Sequence, residues 1–346
     1  MEASSVQARG TTQPRARGWH EWPSPRRQRG VTLALVVSVL VAIPLSRPVV
    51  GEPYNYVVQL ATVMLMWIAL STSWNLIGGY AGYVSLGNNV FFGIGGYFSG
   101  ALAVYHGWSP FLTAALAGLV SMAIGVVVGL ITLRTRGDAF IIATIALLLM
   151  TSLTFDNWSY IGGSNGLSLP LFTSVPNEWY RMPFYVAMAV IAVGSTVLSW
   201  WVAHSKLGLG LRVLAHDEAK AEVLGINTRL YKIVAYSLSA YFPAAAGAIW
   251  GYSLGYLRPS VFFTIGIAAQ MVLMAIIGGR GTVAGPVLGA IVLVTLNEAA
   301  VTKLGSSELN IVFTGGFLVL VVIFLRRGIV GTLKQHRRCP PALDWD

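Results

Sequence analysis

The chain has 346 residues, 55% of them hydrophobic and only 10% charged, with a mean hydropathy of +0.68 and a formal net charge of +10. That is too apolar for an ordinary soluble domain, so a bilayer is the expected solvent. The basic excess does not indicate nucleic acid, because it falls between apolar runs and at the two ends, and the single cysteine, Cys339, leaves no disulfide framework or cysteine-rich metal site.

Residues 1–29 are polar, basic and rich in Arg, Pro and Gly, which predicts a disordered cytoplasmic arm. Arg26, Arg27 and Arg29 there either set topology or touch anionic lipid. The apolar run Val31 to Val50 lacks a small-x-small cleavage site and is closed by Pro44, Ser46 and Arg47, so it reads as an uncleaved first crossing. Further runs lie at Tyr56 to Ile77, Val84 to Tyr105, Phe111 to Leu133, Phe140 to Phe155, Pro183 to Ala203, Leu230 to Leu254, Val261 to Gly279, Pro286 to Val301 and Ile311 to Leu325. Together they predict an all-α polytopic membrane protein of about ten crossings, occupying residues 30–328, with a polar tail over 329–346.

The third of these runs is unusual. From Gly79 to Tyr97 the sequence GYAGYVSLGNNVFFGIGGY places glycines and two adjacent asparagines inside an otherwise membrane-like span. Polar groups at that depth need a helix interface or a solvated path, so the run also suits a broken or re-entrant segment. Ser85, Asn88 and Asn89, with Gln270 further along, are candidate path residues; hydrogen bonding between helices is the other reading. Glu298 falls toward the outer end of its helix, where water or Lys303 can satisfy it, and Asp138 suits a helix N-terminus. Trp158, Trp179 and Tyr180 fit an outer interfacial belt.

The longest connection, His204 to Arg229, contains RVLAHDEAKAEVLG (Arg212 to Gly225), which predicts one short amphipathic helix stopped by Gly225. It is either a solvated linker or a docking element. Charge places it: with the N-terminus inside, all of the 23 Lys and Arg residues except Arg47, Arg181, Arg258 and Lys303 fall on the inner side, and both termini are cytoplasmic. Gly125 and Gly129, then Gly247, Gly251 and Gly255, then Gly281, Gly285 and Gly289 repeat at four-residue spacing, the pattern of closely packed membrane helices. Ile77-Gly78-Gly79 recurs as Ile277-Gly278-Gly279, a weak sign of an internal repeat. No G-x-x-x-x-G-K-[ST] occurs, so ATP chemistry is not expected in this chain. The five histidines fall in loops and tails, which argues against a membrane-embedded enzyme.

Three segments taken together carry a resemblance: SLGNNVFFGIGGY (Ser85 to Tyr97), GLRVLAHDEAKAEVLGINTRLYKIVAYSLSA (Gly210 to Ala240) and GGRGTVAGPVLGA (Gly278 to Ala290), with NWSYIGGSNGLSLP (Asn157 to Pro170) on the outer side. They resemble the LivM-type permease subunits of branched-chain amino acid ABC importers, from about Tyr54 to Leu325. The resemblance implies a type II-like helical bundle in a bacterial inner membrane, paired with a related second permease. It also implies two cytoplasmic ATPase subunits that hold ATP-Mg, and a periplasmic solute-binding protein; this chain itself would carry no cofactor. Arg212, Asp217, Glu218, Ala221, Glu222, Leu224 and Gly225 would then belong to a coupling helix, the acidic residues meeting basic groups of the ATPase and Ala221 and Leu224 making the apolar contact. Asn88-Asn89 and Gly96 depart from the family pattern, which more often has one amide or imidazole followed by alanine, and alanine at the Gly96 position. The cargo stays open among branched-chain amino acids, other amino acids, urea and short amides; an ATP-independent transporter is the rival.

Overall fold

A computed structural model describes residues 54–135, 137–170, 179–304, 316 and 328–335. The predicted arm, the runs Val31 to Val50 and Ile311 to Leu325, and most of the tail lie outside the described residues.

Twelve α-helices occupy the described chain: α1 (Tyr54–Asn75), α2 (Asn89–His106), α3 (Pro110–Thr132), α4 (Asp138–Asp156), α5 (Met182–His204), α6 (Lys206–His216), α7 (Glu218–Val223), α8 (Thr228–Leu254), α9 (Pro259–Phe262), α10 (Ile265–Gly279), α11 (Ala284–Leu304) and α12 (Gly328–Gln335). A single π turn, Leu76–Tyr80, extends α1. Seven helical stretches among the described residues are long and apolar enough to span a bilayer, the α9–α10 pair counting as one. The chain is therefore a nearly all-helical, multi-pass membrane protein.

Local chemistry sets the boundaries. Prolines open α3 and α9, where a missing N–H costs nothing. Asn227 caps α8 by accepting from the Leu230 N–H at 3.1 Å, and Thr264 caps α10 by accepting from Gly266. Gly255 ends α8 with φ +72°, a left-handed conformation that favours glycine.

Helix α8 is the centre of the bundle, packing along α2 and α3 and touching α1 and α5. Glycine makes these approaches possible. A Cβ at Gly247 would lie 2.0 Å from the Phe92 carbonyl oxygen, and one at Gly95 would lie 2.1 Å from that of Ala244, so α2 and α8 touch backbone to backbone. Gly125 and Gly129 face α8, while Gly285 and Gly289 face α10. Gly255 and Gly281 are different: both have positive φ, with nothing near the Cβ position of Gly255, so the first ends a helix and the second shapes a loop.

Two spans are interrupted, one where the sequence also allows a broken segment and one where it predicts a continuous crossing. The run from Val84 is not helical until Asn89; residues 82–85 lack regular structure. The run from Val261 breaks at Phe263 and Thr264, between α9 and α10. Likewise, the single helix expected over Arg212 to Gly225 is two, because Asp217 adopts φ −162° and ψ 111° and starts α7 instead of continuing α6.

The connections sort onto the two ends of the bundle. At one end, Asn75 clamps the loop after α10: its amide donates to the Thr282 carbonyl at 2.9 Å and accepts from the Gly281 N–H at 2.9 Å. The first Ile-Gly-Gly motif meets the same loop, since a Cβ on Gly79 would lie 2.8 Å from the Gly281 nitrogen. Arg134, Lys206, Arg212, Lys220, Arg229 and Arg280 make this the basic end. At the opposite end, β1 (Leu167–Ser168) pairs antiparallel with β2 (Tyr256–Leu257), fastening the loop after α4 to the loop after α8. Trp158 and Trp179 are exposed there, while Tyr180 packs on Phe184 with ring centroids 5.5 Å apart. Glu298 accepts a hydrogen bond from Tyr56; the side chain of Lys303 lies outside the described residues.

Candidate coupling surface and translocation path

At the basic end, the Asp217 carboxylate accepts from the backbone N–H groups of Ala219 and Lys220 at 3.0 and 3.2 Å, fixing the first turn of α7. The Lys220 N–H, its ammonium 3.2 Å away and the Ala219 N–H hold this carboxyl below its ordinary range. Glu222 accepts from the Thr228 hydroxyl at 3.1 Å and so ties α7 to the start of α8. Gly225, with φ +78°, follows the end of α7 at Leu224.

Glu218 and Ala221 do not face outward. The Glu218 carboxylate accepts from Lys232 Nζ and Tyr83 Oη, each at 2.7 Å, and Ala221 is fully buried. The helical period explains this: positions 218 and 221 share the face turned to the bundle, leaving the other face for contact. That face carries Val223 and Leu224, 88% and 69% exposed, with Leu230 and Leu209 also exposed. Arg212 is exposed and lies 5.6 Å over the Tyr80 ring.

The path candidates sit deeper. Asn88 donates to Ser239 Oγ at 3.0 Å, eleven residues into α8 or about 16 Å from its start, near the middle of a ~30 Å hydrocarbon core. Asn89 donates to the carbonyls of Phe262 and Thr264 at 3.0 and 2.9 Å, which the break between α9 and α10 frees from helical pairing. Ser85 Oγ accepts from the Gly87 N–H at 3.2 Å, and its carbonyl accepts from Trp74 Nε1 at 2.7 Å. All three residues are at most 1% exposed; the two asparagine side chains hold the start of α2 to α8 and to the α9–α10 break, and the Ser85 carbonyl holds the preceding stretch to α1. Asn88 Oδ1 and Asn89 Oδ1 have no partner among the described residues. Gln270 is half-buried on α10 and makes no hydrogen bond among the described residues.

Three residues that structure brings to these sites carried little sequence signal. Lys232 is 4% exposed within a helix that sequence treats as a crossing, Tyr83 lies in the glycine-rich run, and Asn75 ends an apolar one. A charge four residues inside an apolar helix is the one cue that marks Lys232.

Comparison with known proteins adds the following. The family described as "Branched-chain amino acid transport system / permease component" matches residues 56–322. The LivM high-affinity branched-chain amino acid permease protein of Salmonella typhimurium is 28% identical over 299 residues, covering 79% of this chain and 69% of that protein. Its counterpart LivH from the same organism is 25% identical over 294 residues, 81% of this chain and 84% of LivH. The ribose import permease RbsC of Escherichia coli K12 is 29% identical over 234 residues, 65% of this chain and 69% of RbsC.

Proposed function

Since the chain belongs to the permease-component family of branched-chain amino acid transport systems, a family of transport subunits and not enzymes, we propose that it moves branched-chain or related amino acids inward as part of an ATP-driven importer. A similarity to both LivM and LivH supports assembly with a related second permease. In this reading the bundle lies in a bacterial inner membrane with its basic end and both termini in the cytoplasm. Two ATPase subunits hold ATP-Mg there, and a periplasmic binding protein delivers solute to the opposite end. Closure of the ATPases moves α7, and the bundles alternate the exposure of a central path.

The carrying observation is the apolar tip of α7. Val223 and Leu224 project from the basic end beside Lys220 and Arg229, where an isolated chain gains nothing by exposing them. This revises the contact set: Val223 and Leu224 meet the ATPase, Asp217 and Glu222 shape the helix ends, and Arg212 borders the contact. Glu218 and Ala221 face the bundle instead. Ser85, Asn88 and Asn89 close the path at mid-depth in this conformation, and solute meets their hydroxyl and amide groups when residues 82–88 move; Gln270 lines the same path from α10. Selectivity in such a system can rest on the binding protein, and a relative named for ribose import shows how widely cargo differs among similar chains; urea and short amides are the second reading of the cargo.

The test is co-purification of the tagged chain, in detergent, with its ATPase subunits. Leu224→Asp combined with Val223→Asp is expected to abolish ATPase recovery while the chain still inserts. Full recovery would instead assign these side chains to the lipid interface.

A further inference from the structure

We propose that Tyr83, Glu218 and Lys232 form a strut that transmits movement of α7 to the Asn88–Asn89 closure, with Tyr83 as the residue that passes it on; this rests on the reading that α7 meets an ATPase. Two segments converge on the Glu218 carboxylate of α7. Its Oε1 accepts from Lys232 Nζ on α8 at 2.7 Å, and its Oε2 accepts from Tyr83 Oη at 2.7 Å. Lys232 Nζ also reaches the Leu133 carbonyl at the end of α3 at 3.4 Å and Tyr83 Oη at 3.3 Å. The side chains of Lys232 and Glu218 are only 5% and 11% exposed, so the pair is largely withdrawn from water.

Burying opposite charges gives little net stability, because desolvation offsets much of their attraction. What the arrangement does provide is direction: two charge-assisted bonds leave one carboxylate at fixed angles. Glu218 is the first residue of α7 and lies within six positions of the exposed Val223–Leu224 tip, so a force on that tip is applied to a short rigid helix. Tyr83 lies in a non-helical stretch that ends at Asn88, the residue that precedes α2. Over residues 82–85 that stretch has no helical ladder and is held by single bonds, from the Tyr83 N–H to the Ile77 carbonyl at 3.1 Å and from Trp74 Nε1 to the Ser85 carbonyl at 2.7 Å, whereas α8 and α3 are continuous helices. A shift of α7 relative to Lys232 therefore falls first on Tyr83 and through it on Asn88 and Asn89. Gly82 keeps the entry to this stretch against α6, since a Cβ there would lie 3.2 Å from that of Ala215.

Tyr83→Phe removes only the hydroxyl of this strut. The ring retains its edge contact with Phe140, at 5.4 Å between centroids, and its place 5.1 Å from Lys232 Nζ, while the Glu218–Lys232 pair stays intact. Tyr80→Phe is the control, because it removes a basic-end hydroxyl bonded to Ser199 Oγ at 3.1 Å outside the strut. The full complex is reconstituted in proteoliposomes with its binding protein, and leucine uptake and ATP hydrolysis are measured together. We expect Tyr83→Phe to keep assembly and solute-stimulated hydrolysis within about twofold of the unsubstituted complex while leucine carried per ATP falls at least about fivefold, and Tyr80→Phe to leave that ratio unchanged. An unchanged ratio in Tyr83→Phe overturns the strut, as does an equal fall in both variants or a Tyr83→Phe complex that does not assemble. Loss of ATP-dependent uptake in the unsubstituted complex would overturn the importer reading instead.

Discussion

Replacing Gly247 by Ala tests the backbone contact that holds α2 against α8. The new methyl would lie 2.0 Å from the Phe92 carbonyl oxygen and 2.8 Å from its carbon, against the 3.4 Å at which ordinary contact begins. No flexible side chain can give way, so one helix must move. Overpacking of this kind costs about 1–3 kcal/mol. Displacing α2 also strains the Asn88–Ser239 bond and the two Asn89 bonds, each worth about 0.6 kcal/mol in membrane helices. The expected loss is thus about 2–4 kcal/mol. Gly255→Ala supplies the comparison: that residue also ends up strained, at φ +72°, but meets nothing within 4 Å, so its cost is the left-handed backbone alone, about 1–2 kcal/mol. Melting of each purified variant in nanodiscs, followed by tryptophan fluorescence, separates them. Gly247→Ala should melt clearly below Gly255→Ala; equal melting, or a Gly247→Ala transition within about a degree of the unsubstituted chain, would refute direct backbone contact between α2 and α8.

Asn75→Leu should destabilise the basic end by about 1–3 kcal/mol by leaving the Thr282 carbonyl and the Gly281 N–H unpaired, seen as faster hydrogen exchange across residues 279–285; unchanged exchange would remove Asn75 from that clamp. Asn89→Leu leaves the Phe262 and Thr264 carbonyls without a donor, and cysteines placed at residues 263 and 264 should then label faster from water. The Asp217 carboxyl is held below the ordinary carboxylate range by Lys220, so its cap is complete above about pH 4 and is lost as pH falls through the lowered native value. Protection of the Ala219 and Lys220 amides should therefore hold from pH 7 to about pH 4 and fail below it in the native chain, but not in Asp217→Asn, whose neutral amide oxygen can still accept. Loss of protection at the same pH in both would assign it to another group.

The long apolar helices were legible because the bilayer demands about twenty apolar residues per crossing, and helices α1, α3, α4, α5, α8 and α11 begin and end within a few residues of the expected runs. Close packing by Gly247, Gly125 and Gly289 was legible from their spacing, although Gly255 shares the spacing and serves only as a helix end. The irregular entry to α2 was legible as an alternative from its glycines and asparagines, but the break between α9 and α10 was not. Hydropathy averages over a window, so a break of two residues at Phe263 and Thr264 vanishes in it, and only the distant amide of Asn89 makes that break tolerable. The orientation of α7 was not legible for a similar reason. Charge at Glu218 suggests a solvated contact, but Lys232 and Tyr83, at sequence separations of 14 and 135, turn it inward and leave Val223 as the exposed tip.

The central claim, an importer subunit driven by partners in trans, is tested most directly by leucine uptake into proteoliposomes containing this chain, its paired permease and their ATPases, with binding protein outside and ATP-Mg inside. The account predicts accumulation that requires ATP, the ATPases and the binding protein together, and that is lost with Val223→Asp and Leu224→Asp. Uptake by this chain alone, without ATP, would contradict it.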